Sequence, residues 1–364
     1  MTNKSTRNPL GIFSFTKIII PILLGLSVGF FMIAREYSKN STLFSDIANI
    51  FDTYAISCLL LGVLFEIGRE ITYMLRLRIL SDKKLSWKQC FQIIMLWEFS
   101  STVTPTSVGG SAVALFIIPL EGIGVGRSTA IVMIATLMDE LFYIIIAPIT
   151  ILFAGYDAAF ATDFKFNVLG AKISEIQVFF IGYSFMMLIT LVILIALIFY
   201  PKKFKNFLYS LGEKKLLKRF QSKLRKTGDD VVVSAKEYKN KNFFFWLKTY
   251  LVTVASWSCR FLVLNCILAA FNPEINNQLL IYVRQLVMWI VLCISPTPGS
   301  SGVAEFAFPL FLNGFLPKGM EGVLALLWRL FTYYPYIIIG IVVLPIFTNR
   351  IAARKRKIKQ TKNS

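Results

Sequence analysis

The sequence predicts an all-α polytopic membrane protein of about eight transmembrane helices, built as an inverted repeat with two re-entrant helical hairpins. Three observations carry this. The 364 residues are 56% hydrophobic with a mean hydropathy of +0.65, and several apolar runs reach the ~20 residues that a helix needs to cross a bilayer. One unusual stretch is written twice, as Thr104-Pro-Thr-Ser-Val-Gly-Gly-Ser-Ala-Val-Ala114 and Ser295-Pro-Thr-Pro-Gly-Ser-Ser-Gly-Val-Ala-Glu305. The loops alternate between strongly basic and neutral or acidic.

The first span covers about 18–34 after a polar segment, 1–17, and Arg35-Glu36 follow it in place of a small-residue cleavage pattern, so it reads as an uncleaved helix. The second runs from about Tyr54 to Leu75. A basic loop, 76–88, leads into a short apolar segment, 89–103, the first repeated motif, and a second short piece, 112–120. A full span follows at 128–154. Further spans are expected at 177–200, 249–271, 279–294 and 322–347, the second motif following the third of these. Segment 201–248 is the one sizeable polar stretch, with 14 basic and four acidic residues. Leu216, Leu217, Phe220 and Leu224 have helical spacing there, which reads either as a basic helix on the membrane surface or as a solvated loop. The tail, 348–364, is basic. By the positive-inside rule, 1–17, 76–88, 201–248 and 348–364 are cytoplasmic, and 35–53, 155–176 and 272–278 lie outside. The protein is expected in the cell (inner or plasma) membrane as one transmembrane domain, 18–347.

The net charge of +19 would raise nucleic acid as a partner in a soluble chain. Here the charge sits in a few loops, where topology and anionic lipid headgroups account for it. There is no histidine, which removes Ser-His hydrolysis and imidazole-dependent metal chemistry. The five cysteines lie in apolar segments without a Cys-x-x-Cys pair and read as core residues. No Gly-x4-Gly-Lys-Ser/Thr occurs, so no nucleotide hydrolysis, cofactor or metal is expected.

The repeated motifs open on Pro105 and Pro296. Proline removes a backbone donor, so neither motif continues a plain helix, and in hydrocarbon such a break is tolerated only inside protein or beside a wet cavity. Segment 89–154 starts inside and ends outside; 279–347 does the reverse. Crossing twice would strain the nine-residue piece 112–120, which favours two hairpins that enter from opposite sides and meet near the midplane. The motifs are offset by 191 residues, and the same offset carries Arg69 onto Arg260. The repeat halves are then 18–154 and 177–347.

A charge at the centre of a span costs ~2.5–3.5 kcal/mol on insertion scales, so each one kept needs a reason. Candidates are Glu66, Arg69, Glu70, Glu98, Asp139, Glu140, Arg260, Glu305 and Arg329. Glu66, Arg69 and Glu70 share a helix face and form either a self-neutralising patch near the cytoplasmic interface or part of a site. Arg260 and Arg329 lack acidic neighbours on their own helices. They either pair with Asp139, Glu140, Glu98 or Glu305, or hold an anionic ligand with their planar fork of donors. Gly109, Gly110, Gly299 and Gly302 either permit close packing or let half-helix N-termini face an anion, with Ser111 and Ser300-Ser301 adding hydroxyls. Pro298 completes the second break.

At these residues the chain resembles a known family. Pro105-x-x-x-Gly109-Gly110-x-Ala112, Gly122-Ile-Gly124 and Ala130 resemble the first signature of the transmembrane domain of lysyl-phosphatidylglycerol synthetases and their stand-alone flippase-like relatives. Pro296-Thr-Pro-Gly299-x-x-Gly302-Val-x-Glu305, Leu327-Trp-Arg329-Leu and Tyr333-Tyr334 resemble the second. The resemblance implies a lipid translocase with functional positions in the two breaks, Glu305 and Arg329. Ala135-Thr-Leu-Met-Asp139-Glu140 lacks the arginine that often precedes the aspartate, which leaves Asp139 without an evident partner. No soluble transferase domain is in this chain, so synthesis of the aminoacylated lipid is not expected.

The expected function is therefore non-enzymatic movement of an anionic or aminoacylated phospholipid, or a related lipid, with Arg69, Arg260 and Arg329 neutralising phosphate. The alternatives are a non-transporting scaffold or regulator that docks a partner protein on 201–248, and a membrane enzyme acting on lipid-linked phosphate.

Overall fold

The computed structural model describes residues 15–39, 41, 43–104, 108–160, 165–168, 171–214, 218–293 and 297–363. Pro105 and Pro296, the two residues that open the breaks, and Leu216 and Leu217 lie outside this set.

Helix α1 (Phe15–Lys39) and the short α2 (Leu43–Ile50) precede α3 (Thr53–Leu80), which starts where Asp52 accepts from Ala55 N at 2.7 Å. A Ser86/Gln89 capping box starts α4 (Trp87–Val103). Helices α5 (Val108–Leu120) and α6 (Val125–Ala154) follow, then a four-residue turn of helix, α7 (Tyr156–Ala159). Strands β1 (Lys165–Val168) and β2 (Ala171–Ser174) pair antiparallel. This pairing is the one departure from all-α structure among the described residues, inside a segment read as loop. A second capping box, Ser174/Gln177, starts α8 (Glu175–Leu194), which ends in a wider turn to Phe199. Helices α9 (Pro201–Glu213) and α10 (Gln221–Lys239) fill the basic segment. They are followed by α11 (Phe243–Phe271), α12 (Gln278–Leu292), α13 (Val303–Phe311), α14 (Glu321–Thr332) and α15 (Tyr334–Asn363).

Among the described residues, four stretches are both long and apolar enough to cross a membrane: α6, α8, α11 and the combined 321–354. Helices α1 and α3 are long enough, at 25 and 28 residues, and α3 carries Glu66, Arg69 and Glu70 in its middle. The rest of the membrane domain is two hairpins, α4–α5 and α12–α13. The domain's lipid-facing belt is visible as exposed Leu60, Leu64 and Ile67 on α3, Phe185 and Leu188 on α8, and Ile338 and Val342 on α15.

Packing shows the internal two-fold. The 191-residue offset lays α3 over α11, α4 over α12, and α5 over the region of α13. Helix α1 packs on α14 as α8 packs on α6, and α4 packs on α15 as α12 packs on α6. Helices α3 and α11 pack on each other along much of their length, and they run antiparallel. Gly62 lies against Cys266, Gly68 against Cys259, and Ser256 donates to the Arg69 carbonyl at 3.3 Å. Gly68 and Cys259 are themselves counterparts. The axis relating the halves is therefore perpendicular to the helices, close to Arg69 and Arg260. That is an inverted repeat.

Both hairpins are re-entrant. Gln89, at the start of α4, donates to Glu121, just past the end of α5, at 2.7 Å. Arg284 on α12 donates to Asn313 O, past the end of α13, at 2.8 Å, and to Ala158 O, past the end of α6, at 3.1 Å. Helix α6 runs from the first of these faces to the second, so the hairpins enter from opposite sides. Their tips meet: Tyr333 Oη donates to Thr102 O at 3.1 Å, and a Cβ at Gly299 would sit 3.0 Å from the same oxygen.

Several sequence expectations need correction. The last span is broken at Tyr333, because Pro335 has no N–H to continue the ladder, and its second half runs on as helix to Asn363 through the expected tail. Segment 201–248 is two helices packed on each other, not one. Gly212 sits against Gln221 and Gly228 against Lys205, spacings that admit no larger side chain without displacement. Phe220 lies in a single 3₁₀ turn and is exposed. The Glu66–Glu70 patch is at mid-depth, beside the two-fold, and not near an interface.

Candidate functional site

Where the hairpin tips meet, α4, α6, α8, α11, α12 and α14 enclose a cavity of about 460 Å³. Its wall holds Arg69, Glu98, Ser111, Asp139, Glu140, Arg260, Gly299 and Arg329 of the sequence-derived set, together with Trp257, Trp289 and Tyr143. Such a volume falls within the range of small-ligand pockets.

Most of the charges are spent on each other. Arg329 donates through Nε to Glu305 Oε1 at 3.0 Å and through Nη2 to Oε2 at 3.4 Å. It also reaches Gly299 O and Ser300 O, both at 3.3 Å, while Glu305 accepts from Gly302 N at 2.7 Å. The pair is fully buried and holds the second break in shape. Gly299 and Gly302 have φ of +55° and +82°, a left-handed backbone that glycine adopts without strain. Ser301 bonds Tyr333 at 2.9 Å. Pro298 is half-buried beside this turn.

In the first half, the partner missing from the sequence motif is Arg76, which the charge pattern assigned to a cytoplasmic loop. Helix α3 continues one turn further than its apolar run, and Arg76 shares a face with Arg69 and Tyr73. It donates to Asp139 Oδ1 at 2.5 Å and Oδ2 at 3.2 Å, and Trp257 Nε1 donates to Oδ1 at 2.8 Å. Arg69 is 2% exposed and bridges Glu98, at 3.0 Å, to Glu70. It also donates to Tyr336 Oη at 2.5 Å, and that hydroxyl contacts both Glu66 and Glu70.

Gly109 and Gly110 permit close packing. A side chain at Gly109 would overlap Thr104, and one at Gly110 would overlap Ser101 and approach Trp97 O at 2.9 Å. Among the described residues, three groups on the cavity wall keep an unmatched atom: Arg260 Nε, Glu140 Oε2 and the Tyr143 hydroxyl. Among the described residues, Arg260 has no carboxylate within ion-pair distance. Its guanidinium lies over Trp289 at 4.9 Å, and one nitrogen makes a long 3.4 Å bond to Thr332 O. Sequence reasoning missed Tyr143; its place one turn along α6 from Asp139 and Glu140 was the available signal.

The chain matches the family described as "Lysylphosphatidylglycerol synthase TM region" over residues 18–340. It is also similar to a "UPF0104 membrane protein" of Archaeoglobus fulgidus, 28% identical over 300 residues, covering 78% of this chain and 84% of that protein. With its doubled break, inverted halves and central cavity, this chain belongs to the lysylphosphatidylglycerol synthase transmembrane-region family.

Proposed function

We propose that this protein moves a phospholipid with an anionic headgroup between leaflets, without changing it chemically. One observation carries the reading. Arg260 and Tyr143 bring unmatched donors to one buried cavity at the meeting point of two oppositely inserted hairpins. A buried donor without a partner costs ~1–3 kcal/mol, more when charged, and a phosphate oxygen accepts from both. Glu140 offers an unmatched acceptor in the same chamber, which an aminoacylated headgroup fills with its ammonium. Trp257 and Trp289 flank Arg260 with their ring faces. Arg69 and Arg329, expected to neutralise phosphate, act in this reading as scaffold.

The protein then sits in the cell membrane with both termini cytoplasmic. The basic segments gather on one face: Lys241 and Arg127 meet Asp82, Tyr238 Oη donates to Leu80 O, and Arg350 meets Glu121. Anionic headgroups of the inner leaflet face the exposed lysines of α9 and α10.

The test is leaflet exchange of a fluorescent anionic phospholipid in proteoliposomes. Wild-type protein exchanges it; Arg260→Gln and Tyr143→Phe slow it by about tenfold or more, the worth of one charge-assisted hydrogen bond. Unchanged exchange in both variants would overturn the assignment of the site.

A further inference from the structure

On the cavity wall around Tyr336, and reaching behind it to Glu66 and Glu70, lies a second cluster that the proposed headgroup seat does not use. Glu66 and Glu70 on α3, Arg69 between them, Glu98 on α4 and Tyr336 on α15 meet at mid-depth. Tyr73 on α3 and Cys259 on α11 are the other titratable groups facing it.

Hydrogen atoms can be counted here. Tyr336 Oη touches three partners: Arg69 Nη1 at 2.5 Å, Glu70 Oε1 at 2.7 Å, and Glu66 Oε1. Arginine only donates, and a phenol has one proton to give. Tyr336 therefore donates to one of the two carboxyls. The other contact lacks a hydrogen unless that carboxyl brings its own. Charge points the same way, since the cluster's net charge is −2 with every carboxyl ionised and one proton removes half of it. Three carboxylates surround one guanidinium at the depth where a single uncompensated charge costs ~2.5–3.5 kcal/mol. Moreover, Glu66 Oε2 and Glu70 Oε2 are both cut off from solvent and have no partner, which a pair of fully ionised groups would not tolerate.

We propose that Glu66 and Glu70 hold one exchangeable proton through Tyr336, and that this proton is exchanged with water as the cavity alternates between leaflets, coupling lipid movement to proton movement. The link runs through Arg69, which holds Glu98 on the cavity wall with one nitrogen and Glu70 with another. When the carboxyl gives its proton to water, the cluster gains one negative charge. Arg69 is then drawn toward Glu66 and Glu70 and away from Glu98, which makes the cavity more negative and expels an anionic headgroup. Reprotonation reverses each step. This coupling rests on the translocase reading above; the shared proton does not.

Two measurements separate them. In purified protein, infrared spectroscopy reads the carbonyl stretch of a protonated carboxylic acid. That band is expected in the wild type, lost in Glu66→Gln and in Glu70→Gln, and shifted in Tyr336→Phe, which keeps every carboxyl. Correct folding is checked by thermal unfolding. If none of the three substitutions alters the band, the shared proton is overturned whatever the lipid does. In proteoliposomes, a gradient of one pH unit is expected to bias the leaflet distribution of anionic lipid by about tenfold for one proton per lipid. An equal sodium gradient at constant pH leaves it unchanged, and Glu66→Gln abolishes the pH bias. Exchange that ignores the pH gradient, or follows sodium, overturns the coupling and leaves the translocase reading standing. Absence of exchange with every lipid overturns both, and the infrared band still decides the proton.

Discussion

The Glu305–Arg329 pair holds the second break in shape, and a double-mutant cycle measures its worth. Glu305 is 0% exposed and Arg329 4%. Replacing either by glutamine strands its partner. Arg329 would keep the carbonyls of Gly299 and Ser300, and Glu305 the Gly302 N–H, but neither would face an opposite charge. Breaking a buried pair from one side costs ~3–5 kcal/mol, because an uncompensated charge remains. The double variant Glu305→Gln/Arg329→Gln leaves two amides that can bond each other, at a net cost of ~1–2 kcal/mol. The two single costs therefore exceed the double cost by several kcal/mol, beyond the ~0.5 kcal/mol within which independent sites add. Thermal unfolding of the four proteins in detergent, followed by tryptophan emission, measures the cycle, with Trp328 adjacent to the pair. A double variant as unstable as the two singles added together would show that the two residues do not act on each other.

Gly62→Cys places a Cβ 3.5 Å from that of Cys266, at the short end of disulfide geometry. Mild oxidation should join α3 to α11, and mass spectrometry of a digest checks the link. Gly110→Ala must push α5 off the Trp97 carbonyl, 2.9 Å from the new carbon, and should cost ~1–3 kcal/mol by thermal unfolding. In the loop after α3, burial raises the Asp82 pKa, but hydrogen bonds from Lys241 and Arg127 outweigh it and hold the carboxyl below its usual 3.8. Its contribution is present above that value and lost as pH falls through the depressed one. The group is 39% exposed, so Asp82→Asn should cost less than ~1 kcal/mol at neutral pH, and the difference from wild type should vanish in acid.

Much of the architecture was legible in the primary structure because two signals are cooperative over long windows. Hydropathy marked the spans, and a doubled Pro/Gly break with opposite flanking charge marked the inversion. The end of α3 was not legible, because Arg76 is indistinguishable by charge from Arg78 and Lys83; what sets it apart is its pairing with Asp139, 63 residues away, and with Thr253. The break at Tyr333 was signalled by Pro335 but lay hidden in an otherwise apolar run. The candidate charges were found by their cost in hydrocarbon. Which of them remain open to a ligand was invisible, since pairing depends on α3 meeting α4, α6 and α15 in space. By charge alone Arg69 and Arg329 look like Arg260, although among the described residues only Arg260 of the three faces the cavity without a carboxylate partner.

The antiparallel seam between α3 and α11 also bears on origin. A helix that lies against its own counterpart about a two-fold must carry a surface complementary to itself. A protein of one half the length, inserted in either orientation, would already possess that seam as an isologous dimer contact. Joining two such copies end to end would assign each a permanent direction. The lysine- and arginine-rich stretches unique to the second copy would then act as the ballast that keeps the fused molecule from turning over.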